Sequence, residues 1–158
     1  VKIAGGFGME IEAYGRSLTP GMTLADGAFA SQSVEDLYSN CDYISLNLPL
    51  DNTTQRLITF DLLSKTKKDA TLINTARKEI IDEEGLLKMM EKRPDFLYAS
   101  DLTPDCKDEM IEKYPERCFF TLKKMGAQTS EANMNAGVAA IKQIINFFES
   151  GDTAFQVN

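Results

Sequence analysis

The chain has 158 residues, 43% of them hydrophobic, and a formal net charge of -7 with no histidine. That length and apolar content suit one ordinary core, no apolar run approaches the ~20 residues that cross a bilayer, and an acidic balance without a basic run argues against a nucleic-acid surface. Cys41, Cys106 and Cys118 are odd in number and widely spaced, which fits neither a zinc site nor a disulfide framework and reads as free thiols in a reducing, cytoplasmic compartment, with no metal site expected.

Short β-like runs alternate with helical stretches, the pattern of a parallel sheet covered on both faces. In chain order, a strand is expected over residues 10–14. Residues 17–31, with Pro20, Gly21 and Gly27, read as a long surface connection. Ser33 then offers an N-cap for a helix over 34–39, and strands follow over 43–48 and 71–74. Asp82 is placed to cap a helix over 83–91, because a short side-chain oxygen accepts an orphan N–H of the first turn. A strand over 96–100, a helix over 109–114 and a strand over 118–121 come next. The last helix, 130–150, is the clearest. Val138, Ile141, Ile144, Ile145 and Phe148 recur at three- and four-residue steps, and Gly151 is a natural stop.

Residues 72–77, Leu-Ile-Asn-Thr-Ala-Arg, carry the most functional information. An apolar run that halts at small polar residues and one arginine leaves Arg77 at the carboxyl end of a buried parallel strand, where open α/β sheets bind ligands. Arg77 is thus the first candidate for holding an anion. Position alone allows an ordinary surface arginine equally well.

Four stretches carry a resemblance that decides between these. Residues 72–84 resemble the arginine motif of the D-isomer-specific 2-hydroxyacid dehydrogenases, Ile-Asn-Thr-Ala-Arg-Gly-Gly-x-Val-Asp-Glu. Residues 7–14 (Phe-Gly-Met-Glu-Ile-Glu-Ala-Tyr), 45–50 (Ser-Leu-Asn-Leu-Pro-Leu, with Thr54 and Ile58 beyond) and 125–132 (Met-Gly-Ala-Gln-Thr-Ser-Glu-Ala) fall in that family's order. The resemblance implies a Rossmann-type parallel sheet with helices on both faces. It makes residues 1–158 a partial NAD(P)-binding domain of a larger two-domain dehydrogenase. Residues 1–8 resemble the end of the first helix, so the first strand, its glycine loop and a preceding substrate domain are expected upstream of Val1. On this reading the chain by itself is inactive, and removing a central strand leaves edges and apolar faces exposed.

The resemblance also implies the chemistry. Hydride passes between C2 of a D-2-hydroxy acid and nicotinamide; an arginine holds the carboxylate or carbonyl, a histidine exchanges the hydroxyl proton and a glutamate orients the histidine and raises its pKa. Arg77 matches the arginine. The family's Pro-His-x-Gly-Ala-x-Thr reads here as Lys123-Lys124-Met125-Gly126-Ala127-Gln128-Thr129, so Lys124 stands at the histidine. The glutamate motif is matched only loosely by residues 101–106. Strict counting puts Cys106 there and a one-residue deletion puts Asp105, which can equally cap the following helix. For cofactor binding, Leu48, Thr75, Ala76, Asp101, Gly126 and Ala127 carry over, with Asp101 facing the nicotinamide carboxamide.

NAD is the implied cofactor. The acid that accepts the ribose hydroxyls is missing after Tyr14, and Arg16 stands nearby, which leaves NADP open; Arg16 equally reads as a plain loop arginine. The implied substrate is a small anionic 2-hydroxy acid, 3-phosphoglycerate at the entry to serine synthesis first and glyoxylate or hydroxypyruvate second. A homodimer or higher assembly of the parent is expected. The absence of histidine keeps a non-catalytic, NAD(P)-sensing module as the alternative.

Overall fold

The computed structural model describes residues 1–122 and 129–156. It divides into two units, 1–120 and 121–158. In the first, α1 (Lys2–Gly6) precedes β1 (Glu12–Ala13), β2 (Phe29–Ala30), α2 (Val34–Asn40), β3 (Tyr43–Leu46) and α3 (Phe60–Leu63). Then come β4 (Thr71–Asn74), a 3-10 turn at Lys78–Ile80, α4 (Glu83–Lys92), β5 (Leu97–Ser100), α5 (Lys107–Lys113) and β6 (Cys118–Phe120). The second unit holds one long helix, α6 (Ser130–Ser150).

Strands β3, β4, β5 and β6 form one parallel sheet in that order, while β1 and β2 form a separate parallel pair. Every connection in the larger sheet is a right-sized crossover, and helices surround it as an α/β fold requires. Register places Leu46 beside Asn74 and Asn74 beside Ser100, so the carboxyl ends of three neighbouring strands finish level.

The core lies where β-branched and aromatic side chains of the sheet meet helical Leu and Met. Ile44, Leu72 and Tyr98 pack with Leu63, Leu86, Met89 and Met110, all nearly or fully buried. Gly85 lets α4 close on α3, since a Cβ there would sit 2.7 Å from the Phe60 backbone nitrogen. The alternate side chains of the sheet are far more open: Tyr43 is 60% and Phe119 65% exposed. Large apolar exposure also marks α1 and the strand edge, with Ile3 and Phe7 above 80%.

Most elements match their expected positions, and the differences have physical causes. The first strand shrinks to two residues. The stretch 17–31 is not merely a connection, because Phe29 and Ala30 pair with Glu12 and Ala13, and Ala28 and Ala30 are completely buried. Two residues are too short for periodicity to reveal. Ser33 caps α2 as expected, its hydroxyl accepting the Asp36 N–H at 3.1 Å. Asp82 precedes α4 but makes no cap bond; its carboxylate is drawn instead to Arg56. Gly151 ends α6 in the left-handed region at φ 71. Among the described residues no helix is long and apolar enough to cross a membrane.

Candidate functional site at the strand ends

Asn74 and Ser100 organise the site, and both are almost wholly buried. The chain turns sharply after β4, and the Asn74 side chain braces that turn from inside. Its Oδ1 accepts the Ala76 N–H at 3.0 Å, and its Nδ2 donates to the Arg77 carbonyl at 3.0 Å. Ser100 does the same across the sheet: its hydroxyl donates to the Asn74 carbonyl at 2.7 Å and accepts the Leu102 N–H at 3.0 Å. Two short polar side chains therefore tie the exits of β4 and β5 together. Inside a low-dielectric core such a network is costly to break.

The turn presents the residues that the sequence singles out. Thr75 is exposed, Ala76 is 8% exposed and Arg77 points outward in extended conformation. The Arg77 guanidinium is only lightly held, Nη1 donating to the Ala76 carbonyl at 2.7 Å. Its remaining donors suit a planar oxyanion. Leu48, half-buried against the core, flanks the turn after β3. Asp101 follows Ser100 at the exit of β5. Its Oδ1 is buried and has no hydrogen-bond partner, one of two such side-chain atoms among the described residues. An acceptor that has left water without a donor is destabilising. A carboxamide N–H arriving at the strand ends would satisfy it, so the residues present fit a nicotinamide.

Asp105 is not at the helix start that its type suggested. Cys106 occupies the N-cap of α5, and the entering N–H groups are taken by Glu83 from α4, Oε1 accepting from Asp105 at 3.1 Å and Oε2 from Cys106 at 2.8 Å. The Asp105 carboxylate pairs with Lys78 at 2.6 Å and is otherwise largely exposed. Burial first, and then the Glu83 charge, push the Cys106 thiol up to about 12. A thiol neutral at pH 7 supplies no charge to orient a proton-transfer group, which disfavours the strict-count alternative. Lys124, Gly126 and Ala127 lie outside the described residues.

Arg16, on the loop after β1, crosses to the loop after β3 and pairs with Asp51 at 3.0 Å. Asn74, Ser100, Glu83 and Asp51 shape these loops without belonging to the candidate residues of the sequence. Asn74 and Ser100 carried a signal, polar residues closing strands that are otherwise apolar. Asp51 carried none.

A parallel sheet whose strand exits converge on a braced turn, an outward arginine and an unsatisfied carboxylate defines a nucleotide-binding α/β domain of the Rossmann type. Residues 1–116 match the sequence pattern of the D-isomer specific 2-hydroxyacid dehydrogenases, NAD binding domain. The chain belongs to that family, and NAD is the cofactor for which its fold is built. Its structure is similar to NAD+-bound 3-phosphoglycerate dehydrogenase of Entamoeba histolytica, at 41% identity and a TM-score of 0.84, covering 99% of this chain and 49% of that one. D-3-phosphoglycerate dehydrogenase of Bacillus subtilis is 28% identical over 144 residues, 89% of this chain and 27% of the relative. Glyoxylate reductase of Thermococcus litoralis is 32% identical over 152 residues, 92% of this chain and 44% of the relative. The chain thus spans half or less of the length of these relatives.

Proposed function

We propose that residues 1–158 are part of the nucleotide-binding domain of a two-domain, NAD-dependent D-2-hydroxyacid dehydrogenase, with 3-phosphoglycerate as substrate. The observation that carries this is the placement, after neighbouring strands that finish level, of an outward Arg77 and an Asp101 whose buried Oδ1 has no hydrogen-bond partner. The similarity to two phosphoglycerate dehydrogenases supports the substrate, and the glyoxylate reductase similarity supports the alternative of glyoxylate or hydroxypyruvate.

When bound, NAD supplies the acceptor for the hydride leaving C2 of the hydroxy acid. Arg77 holds the substrate carboxylate by forked hydrogen bonds, which a point charge cannot reproduce. Asp101 orients the nicotinamide carboxamide, with Leu48, Thr75, Ala76, Gly126 and Ala127 lining the cofactor. Lys124 takes the hydroxyl proton during oxidation and returns it during reduction. A lysine ordinarily titrates near 10.4, so base function requires positive charge nearby, such as that of the sequence-adjacent Lys123, to lower it. Asp105, already paired with Lys78, is a weaker candidate for orienting Lys124. With no histidine in the chain, a cofactor-sensing module without turnover is the second reading. The parent is proposed as a cytoplasmic homodimer or larger assembly; the free Cys41, Cys106 and Cys118 of this chain fit a reducing compartment.

The test is turnover by the full-length protein against a panel of D-2-hydroxy acids, with Lys124→Met beside the wild type. A proton-transferring lysine predicts a loss in kcat of roughly 10²–10⁴-fold, with NAD affinity little changed. Turnover within a few-fold of wild type removes Lys124 from the mechanism. NAD binding without oxidation of any substrate favours the sensing module.

A further inference from the structure

Two loops meet outside the carboxyl ends of the strands, one leaving β1 at Ala13 and one leaving β3 at Leu46. Arg16 joins them, its Nη2 donating to Asp51 Oδ2 at 3.0 Å and its Nη1 to Thr53 Oγ1 at 3.3 Å. Asp51 is itself fixed. Its Oδ1 accepts the Thr53 N–H at 2.8 Å and the Thr53 hydroxyl at 2.6 Å. Its own N–H donates to Thr54 Oγ1 at 2.8 Å, and the Thr54 hydroxyl, on a side chain buried in the loop, donates to the Pro49 carbonyl at 2.7 Å. The Thr53 hydroxyl and N–H, with the Arg16 guanidinium after them, hold the Asp51 carboxyl down at about 2. Asp51 is therefore an anion throughout the physiological pH range.

In dinucleotide-binding sheets the residues following this strand choose between cofactors: an acid accepts the ribose 2′-hydroxyl, whereas an arginine accommodates a 2′-phosphate. Here Gly15-Arg16-Ser17 supplies the arginine and no acid. Taken from sequence alone, that points to NADP. The arginine, however, already has a carboxylate partner supplied from the other loop.

We propose that Asp51 is the residue that sets cofactor choice, neutralising Arg16 from the neighbouring loop and supplying the negative charge that the strand-end position lacks, so that NAD is accepted and NADP excluded. The inference rests on the NAD-site reading above. A 2′-phosphate carries close to two negative charges at neutral pH. To reach Arg16 it must either displace an Asp51 carboxylate held by three donors or lie beside it, and like charges so placed repel. A 2′-hydroxyl, by contrast, can donate to the same carboxylate. Discrimination thus comes from a repulsive element, and Arg16 remains as a latent phosphate site beneath it.

The experiment is equilibrium titration of the full-length protein with NAD and with NADP, followed by cofactor fluorescence or calorimetry, for wild type, Asp51→Asn and the double variant Arg16→Gln/Asp51→Asn. Asparagine keeps an Oδ1 acceptor for Thr53 and removes the charge together with the Oδ2 acceptor of Arg16. The expected result is NADP binding about tenfold tighter in Asp51→Asn, the scale of one like charge removed beside a partly exposed phosphate, with the gain lost in the double variant. Melting curves check that each variant is folded, and Asp51→Ser replaces the asparagine variant if it is not. An unchanged NADP affinity in the folded single variant overturns the proposal, as does a gain that persists without Arg16 or a wild type that binds NADP as tightly as NAD. Failure of every form to bind either cofactor overturns the site reading itself, and this inference with it.

Discussion

The exits of β4 and β5 and the crossing between the β1 and β3 loops are built from opposite materials. At the first, Asn74 and Ser100 are almost fully buried and make four hydrogen bonds that fix the backbone around Arg77 and Asp101. At the second, an arginine 71% exposed and an aspartate 38% exposed hold two loops by a solvated ion pair. Buried polar networks fix geometry at high cost when broken, whereas exposed pairs contribute little to stability and can change freely. In the roles proposed here, chemistry that needs an atom in one place sits on the first kind of support, and selectivity, which is a difference of affinities, sits on the second.

Breaking the buried side should produce the largest effect. Asn74→Ala removes both braces and strands the buried Ala76 N–H, with an expected loss of about 2–3 kcal/mol in unfolding free energy; denaturant titration measures it. If the full-length protein turns over a hydroxy acid as proposed, its KM should rise as well, because the Arg77 carbonyl loses its tether. Ser100→Ala should cost less, about 1–2 kcal/mol, since the Leu102 N–H that it frees is only partly buried. If Asn74→Ala melts like wild type, the turn is held by the strands and not by the side chain.

The exposed side should barely register in stability. Asp51 has a depressed pKa, so its contribution is complete above the ordinary aspartate value of about 4 and fades as pH falls toward about 2. Because the pair is solvated that contribution is small, so the melting temperatures of wild type and Asp51→Asn should differ by a small, constant amount from about pH 8 to about pH 5 and converge below about pH 4. A large gap between them above about pH 5 would show that the ion pair is structural, and the contrast between the two regions would blur.

How far the sequence revealed each region follows from the same physics. The strand ends were legible because an apolar run stopping at Asn-Thr-Ala-Arg is a local signal, and the helix caps at Ser33 and Gly151 are local too. The partners were not. That Asn74 folds back on residues 76 and 77, that Glu83 serves the start of α5 and that Asp51 meets Arg16 depend on tertiary approach, across 35 residues in the last case. The same holds for Asp82, whose cap role yields to Arg56. β2 escaped notice because two residues paired to a two-residue strand carry no period, and its evidence is the complete burial of Ala28 and Ala30.

The role proposed for Asp101, whose buried Oδ1 would accept an N–H of the cofactor's carboxamide, can be probed by removing that N–H. The full-length protein is titrated with NAD and with its 3-acetylpyridine analogue, which replaces the amide by a methyl ketone and so lacks the N–H donor, using wild type and Asp101→Ala. A charge-assisted hydrogen bond predicts that wild type favours NAD by roughly 10- to 100-fold, the equivalent of about 1.5–3 kcal/mol, and that Asp101→Ala binds both cofactors alike. A wild type indifferent to the amide, or a variant that keeps the full preference for NAD, contradicts it.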